Sequence, residues 1–457
     1  MTPDENPQNA EDSRVCYRWL AFPAAALAFA AAYGFWPLSD SRQALVAATL
    51  ATVVILWVSE VVPLYVSGLF GSFLLLAFGD FSAAEIFEPY FDPVIALFLG
   101  GFVLARGMQK YGLDERIAHE ILKRVSDRPS IFVLGLMLVT AFLSMWMSNT
   151  ASAAIMIPIS VVVLSENRLF HRRSRFARSA VLSVAYAASI GGVGSLVGSP
   201  PNAIAARYLG ERGIELGFVE WMTKTLPFVL IALLFTWLLL LLFNKPEIER
   251  IRFTHEPRPI DRPQKWVMAI FTVTVLGWLG TRVTGISAYA VALIPVIALF
   301  ALKLLDDSDL GKISWPTLLL FGGGLSLGSA VSRVGIDSWL ASLVEASIGS
   351  VPLFVALTGL VACAILVTMV ASNTASAAIM IPLMLPLSAT LGIDMQAIAM
   401  LVAIGVSLDF MMPVGTPPNA IAYSTGMVNV GQMMSNGFRV NIGTGLILVT
   451  LFYFFYL

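Results

Sequence analysis

Eleven residues, SNTASAAIMIP, occur twice in this chain, at 148–158 and again at 372–382, an offset of 224. An identity of that length is not a chance event, and it requires a fold that seats two copies of one segment in equivalent surroundings. Further blocks recur in the same order at nearly the same offset. GSPPNAIA at 198–205 returns as GTPPNAIA at 415–422, 217 positions on, while Gly100, Gly101 and Gly112 return as Gly323, Gly324 and Gly335, 223 positions on. An amphipathic stripe repeats as well: Leu113, Ile117, Ile121 and Val125 match Ile336, Leu340, Val344 and Ile348.

Composition identifies the solvent of that duplicated fold. Hydrophobic residues make up 58% of the chain and charged residues 12%, against about a quarter charged in soluble domains. Apolar runs at 19–37, 43–59, 226–243, 266–280, 286–302 and 438–457 each approach the ~20 residues that cross ~30 Å of hydrocarbon. The first eighteen residues are polar and lack a clear small-residue cleavage site, so they read as a cytoplasmic tail rather than a signal. Cys16 and Cys363 fall in that tail and in an apolar run, which indicates neither a disulfide nor a thiolate metal site.

Charge sets the orientation. Of 28 Lys and Arg, 17 lie in three stretches, Arg106 to Arg128, Arg168 to Arg178 and Lys245 to Lys265, and such excesses mark cytoplasmic loops. The segment between the first two must therefore enter and leave the membrane on one side. Its 35 residues allow only about 25 Å per helical arm, so a re-entrant hairpin is predicted, with Ser148, Asn149 and Thr150 at its tip. Counting spans from a cytoplasmic N-terminus starts the two repeats on opposite sides and leaves the C-terminus outside. The amphipathic helices agree: the first carries Arg116, Lys123 and Arg124, whereas 335–348 has no Lys or Arg.

These features predict an all-α polytopic membrane protein of about eleven transmembrane helices plus two re-entrant hairpins, in two inverted-topology repeats. Its parts are a tail at 1–18, a first helix and connection at 19–42, repeat 1 at 43–243 with a hairpin at 131–165 and a broken helix at 180–208, a cytoplasmic linker at 244–265, and repeat 2 at 266–457 with a hairpin at 352–391 and a broken helix at 395–423. Inverted repeats meeting at the bilayer midplane are the architecture of secondary transporters.

The repeated motifs carry their own chemistry. In G-[ST]-P-P-N the proline suits the first turn of a helix and the preceding hydroxyl suits its cap, so helices should begin at Pro200, capped by Ser199, and at Pro417, capped by Thr416. Each SNT likewise precedes a small-residue helix. Four helix N-termini can then converge, each offering unpaired N–H groups and about half a positive charge, which suits a carboxylate or another oxyanion. The unwound carbonyls and the Ser and Asn oxygens are hard ligands for an alkali cation, with sodium the natural occupant. Moving a dianion against the membrane potential costs ~2.3 kcal/mol per charge per 100 mV, and neither motif supplies Lys or Arg, so cations must accompany it or a second anion must be exchanged for it.

The paired SNT motifs and SLDFMMPVGTPPNAIAY at 407–423 resemble the divalent anion/sodium symporter family, of the INDY type, over nearly the whole chain. The resemblance implies a homodimeric, elevator-type transporter of the bacterial inner membrane that moves C4-dicarboxylates, citrate or sulfate, with Na+ as coupling ion and no organic cofactor or nucleic-acid partner. Matched by motif position, it implies one sodium site from Ser144, Ser148, Asn149 and Gly198, and another from Thr368, Ala371, Asn373 and Gly415. Substrate carboxylates would be held by Ser148, Asn149, Thr150, Ser199, Ser372, Asn373, Thr374, Thr416 and Pro417. Ser144 and Thr368 both keep a hydroxyl, which favours sodium-coupled symport of succinate, malate or fumarate over sodium-independent exchange.

Some residues depart from the family pattern. Asp409 lies on the second broken span, where the signature usually has an uncharged residue; an intramembrane carboxylate is a functional candidate by default, with a structural Asp satisfied by a partner as the equal alternative. Val193 and Gly194 replace more polar residues, which leaves the choice of anion open. Glu60, near an interface, reads as a structural charge reaching water. An intramembrane hydrolase using Ser148 or Ser372 would need a base, yet His119, His171 and His255 all fall in cytoplasmic segments, and no Gly-x-x-x-x-Gly-Lys loop supports ATP-driven transport.

Overall fold

The computed structural model describes residues 19–35, 41–252, 259–339, 342 and 351–456, and these are helical with no strand among them. The tail at 1–18, His255, and the stripe residues Leu340, Val344 and Ile348 lie outside the described residues. Five helices are long and apolar enough to cross a bilayer: Ser41–Ser59, Ala83–Lys110 read through its short 3-10 turn, Asn149–Glu166, Phe218–Phe243 and Val430–Phe455. Shorter apolar helices, among them Leu64–Phe78, Pro129–Ser144, Ala288–Ala301 and Leu353–Thr368, fill the rest.

The repeated motifs form the same local structure twice. Pro129–Ser144 turns through 145–148 into Asn149–Glu166, and Leu353–Thr368 turns through 369–372 into Asn373–Met384. At each turn the serine closes the new helix: Ser148 Oγ accepts from Ala151 N–H and Ser372 Oγ from Ala375 N–H, both at 3.2 Å. Further on, Arg175–Gly192 stops at the glycine-rich run and helix resumes at Pro200–Gly210, as Met395–Gly405 stops before Pro417–Ser424.

Thr416 caps its helix as expected, accepting from Asn419 N–H at 3.3 Å. Ser199 does not. The Asn202 N–H, the first donor after Pro200 and Pro201, goes to the Ser199 backbone carbonyl at 3.1 Å instead, and the buried Ser199 hydroxyl is left with no partner. The amphipathic stripe is shorter than its spacing suggests. The helix ends at Leu122, Ile121 is exposed, and Val125 lies past the end, against Gly135. Glu60 sits exposed in a left-handed turn after Ser41–Ser59.

The two halves interlock reciprocally. Leu64–Phe78 packs on Trp315–Arg333, and its counterpart Ala288–Ala301 packs on Pro93–Lys110. Arg175–Gly192 contacts Pro417–Ser424 as Pro200–Gly210 contacts Met395–Gly405, and Pro200–Gly210 touches Asn373–Met384 as Pro417–Ser424 touches Asn149–Glu166. Phe218–Phe243 and Val430–Phe455 pair with each other. Such exchange of equivalent contacts is what a two-fold relation between the halves produces.

Two repeated glycines permit the closest of these approaches. A Cβ on Gly100 would collide with the Ala292 carbonyl, and one on Gly323 would lie 2.8 Å from the Gly68 Cα. Small residues let membrane helices pack on their backbones. Gly100→Ala and Gly323→Ala are therefore each expected to destabilise the protein by about 1–3 kcal/mol, the usual cost of overpacking, read as a lower midpoint in detergent thermal-shift assays. Unchanged midpoints would show that these helix pairs have slack.

Candidate functional site

All four helix starts open onto one cavity of about 460 Å³. Its polar wall holds Ser148, Asn149 and Thr150 from the first tip and Ser372, Asn373 and Thr374 from the second. Gly198, Ser199 and Pro200 line it from one break, and Gly415, Thr416 and Pro417 from the other. Residues 224 positions apart thus meet across one space. Phe98, Phe102 and Leu320 form an apolar side, and Arg106, Gln109 and Lys312 also line the cavity. The two hairpin-tip helices keep the Asn149, Thr150, Asn373 and Thr374 amides without an intrahelical acceptor. The helices from Pro200 and Pro417 have no N–H at their first two positions, and their third is bonded to Ser199 or Thr416, so they offer an anion their positive dipole ends rather than free donors.

Ser144, Thr368 and Ala371 do not line the cavity. They are buried behind it. Around Ser144 the chain gathers oxygens. The Ser144 hydroxyl bonds the Ala188 carbonyl at 2.7 Å, and one terminal atom of the Asn149 amide lies 2.7 Å from Ser144 Oγ, 3.1 Å from the Ala188 carbonyl and 3.3 Å from the Gly198 carbonyl. With its nitrogen inward, that amide has two N–H groups to share among the three. With its oxygen inward, four oxygens face one another, an arrangement that a hard cation stabilises. Gly198 itself is hemmed by the carbonyls of Gly192 and Ser144, 2.6 and 2.7 Å from any Cβ added there. Behind the second tip the pattern recurs, with the Thr368 hydroxyl 2.8 Å from Asn373 Oδ1.

Two buried asparagines hold the breaks open, and sequence reasoning assigned them no role. Asn202 Nδ2 donates to the carbonyls of Gly192 at 2.8 Å and Ser195 at 2.6 Å, and Asn419 Nδ2 to those of Asp409 at 3.1 Å and Met412 at 3.0 Å. Carbonyls that an interrupted helix would strand are thereby satisfied. The signal was present: both lie in the duplicated PPN. Ser195 joins tip to break, its hydroxyl donating to the Met145 carbonyl and accepting from Gly198 N–H at 3.1 Å. Behind the first tip Trp146 stacks on Phe218 and Trp278, and Trp221 Nε1 holds the Val193 carbonyl at 2.8 Å.

A polytopic helical fold with a duplicated polar site at its centre defines a membrane transporter, and comparison with known proteins supplies the family. Residues 19–457 match the family described as the sodium:sulfate symporter transmembrane region. The chain is 33% identical over 443 residues to an uncharacterized transporter of Haemophilus influenzae, covering 93% of each. It is 30% identical over 459 residues to the sodium-dependent dicarboxylate transporter SdcS of Staphylococcus saprophyticus, covering 91% of this chain and 86% of that one. Among solved structures, the YdaH transporter of Alcanivorax borkumensis superposes with a TM-score of 0.59 at 14% identity, over 85% of this chain and 89% of its own, a likeness of fold alone. The chain belongs to the divalent anion/sodium symporter family; it is a transporter and not an enzyme.

Asn202→Ala and Asn419→Ala each strand two buried carbonyls and are expected to cost about 1–3 kcal/mol per stranded group. Asp at either position keeps the shape but loses the donor, so it should not rescue. Thermal unfolding in detergent measures this, and midpoints equal to wild type would mean that the breaks are held by other contacts.

Proposed function

We propose that this protein is a sodium-coupled symporter of a divalent anion, most simply a C4-dicarboxylate such as succinate, malate or fumarate, working by alternating access. The observation that carries this is the convergence of four helix N-termini on one cavity, with a cluster of oxygens behind the first hairpin tip and the Thr368–Asn373 pair behind the second. Ser148, Thr150, Ser199, Ser372, Thr374 and Thr416, together with the first amides of the helices that begin at Asn149 and Asn373, receive the two carboxylates. Asn149 and Asn373 face both ways, toward the anion through the cavity wall and toward a cation through the oxygens of Ser144, Ala188 and Gly198 or of Thr368, Ala371 and Gly415. Bound sodium polarises each asparagine and offsets the dianion's charge, so that anion and cations stabilise each other.

The naming of SdcS as sodium-dependent and dicarboxylate-transporting supports this reading at the level of the family. In it, the hairpins and broken spans form the moving unit of an elevator, the crossed pairs Leu64–Phe78 with Trp315–Arg333 and Ala288–Ala301 with Pro93–Lys110 form the frame, and the protein works as a homodimer. The two repeats have opposite membrane orientation. The Arg106 and Lys312 side of the cavity is the cytoplasmic side, since Arg106 opens the first cationic stretch.

Reconstituted protein should take up labelled succinate when sodium is imposed outside, and not when choline replaces it. Equal uptake in choline that needs internal dicarboxylate would establish exchange instead, and uptake of sulfate or citrate but not succinate would reassign the anion. Asn149→Ala and Asn373→Ala should each lower uptake by at least about tenfold, because a hydrogen bond to a charged group is worth about 1.5–3 kcal/mol. Normal uptake by either variant would remove that residue from the site.

A further inference from the structure

The second repeat places a carboxylate where the first has a glycine. The offset that carries Gly198 onto Gly415 carries Gly192 onto Asp409, and the asparagine braces confirm the pairing, since Asn202 holds the Gly192 carbonyl as Asn419 holds that of Asp409. A Cβ added to Gly192 would run into the Asn149 amide. A side chain leaving this position therefore heads into the oxygen cluster. In the second repeat such a side chain exists: the Asp409 carboxylate is packed onto Gly415, whose added Cβ would lie 2.6 Å from Cγ and 2.8 Å from Oδ1.

Asp409 is fully buried. Neither carboxylate oxygen has a hydrogen-bond partner of normal geometry among the described residues, the Met411 N–H being the backbone donor beside it. Buried charges are paired or coordinate cations, and stripping a carboxylate of water with no compensation costs several kcal/mol.

We propose that Asp409 is a ligand of the second cation, its carboxylate joining Thr368, Asn373 and the Gly415 carbonyl. The two cation sites then differ in charge. The first is built from neutral oxygens, whereas the second carries a formal negative charge and holds its sodium more tightly, since ligand charge sets the affinity of hard-cation sites. This assignment rests on the sodium-symport reading, and it makes the duplicated site functionally asymmetric: the second cation loads first.

The test is sodium titration of purified full-length protein against choline at constant ionic strength, read by thermal stabilisation and by equilibrium binding of radiosodium. Asp409→Asn and Asp409→Gly, the latter copying the first repeat's own residue, are expected to raise the sodium concentration for half-maximal stabilisation by about tenfold or more. In an Asn149→Ala background one saturable radiosodium site should remain and should disappear on adding Asp409→Gly. A folded Asp409 variant with an unchanged sodium titration overturns the assignment. Should neither variant fold, Gly415→Ala displaces the carboxylate without removing its charge; in the Asn149→Ala background it should weaken the remaining site, and unchanged binding again overturns the assignment. A wild type that ignores sodium altogether would instead refute the sodium-symport reading, which keeps the two failures distinct.

Discussion

Breaking a helix inside a bilayer strands backbone carbonyls and amides where no water can reach them, at a cost of several kcal/mol for each. This chain interrupts two helices and turns two helix pairs back on themselves, and in the proposed membrane placement much of its central architecture answers that cost. The carbonyls are taken up by buried side chains: Gly192 and Ser195 by Asn202, Asp409 and Met412 by Asn419, Val193 by Trp221, Met145 by Ser195. The first amides of the two hairpin-tip helices, at Asn149, Thr150, Asn373 and Thr374, have no acceptor within their helices, and these residues line the cavity. Under the proposed function that imbalance is what suits the cavity to an anion.

Reciprocal packing makes the same solution available twice. Because Pro200–Gly210 lies on Asn373–Met384, and Pro417–Ser424 on Asn149–Glu166, each break is supported by the hairpin of the other repeat. No half can complete the cavity alone, and a shift of one break must be felt by the opposite tip. Symmetry of the backbone does not extend to the side chains. Ser144 corresponds to Thr368 and Gly192 to Asp409, and Ser199 leaves its hydroxyl unspent where Thr416 uses its own as a cap.

Much of the site could be read from the residues because the chemistry sits in duplicated short motifs. Prolines and hydroxyls mark helix starts through local geometry, so Asn149, Asn373, Pro200 and Pro417 were legible as N-termini before their positions were known. What escaped was tertiary. The Ala188 carbonyl joins the first oxygen cluster, yet nothing in the identity of Ala188 announces it, because every residue owns a carbonyl. The bracing by Asn202 and Asn419 depends on a chain reversal across the break. The free hydroxyl of Ser199 depends on which acceptor the Asn202 N–H selects, a competition between two oxygens of one residue that composition does not decide.

The cationic residues of the cavity show why the anion site needs its helix ends. Arg106 lines the space, but its guanidinium is bound to Asp309 at 2.8 and 3.0 Å, and Lys110 reaches the same carboxylate at 2.5 Å. Burial of Asp309 works to raise its pKa, but Lys110 and Arg106 outweigh it and hold the group down to about 2. A carboxyl lowered from 3.8 contributes its stabilisation above the unfolded value and loses it only as the pH falls toward 2, so the pair stays ionised throughout physiological conditions. Arg106 is therefore committed to the link between Pro93–Lys110 and the 302–314 connection, and its charge is largely spent there. Under the proposed function the attraction for the anion then falls to Lys312, which also lines the cavity, and to helix dipoles, hydroxyls and accompanying cations. That division suits a carrier: a fixed arginine clamp would hold the anion whether or not cations had bound, whereas amides and polarised asparagines bind it well only when the cation clusters behind them are filled.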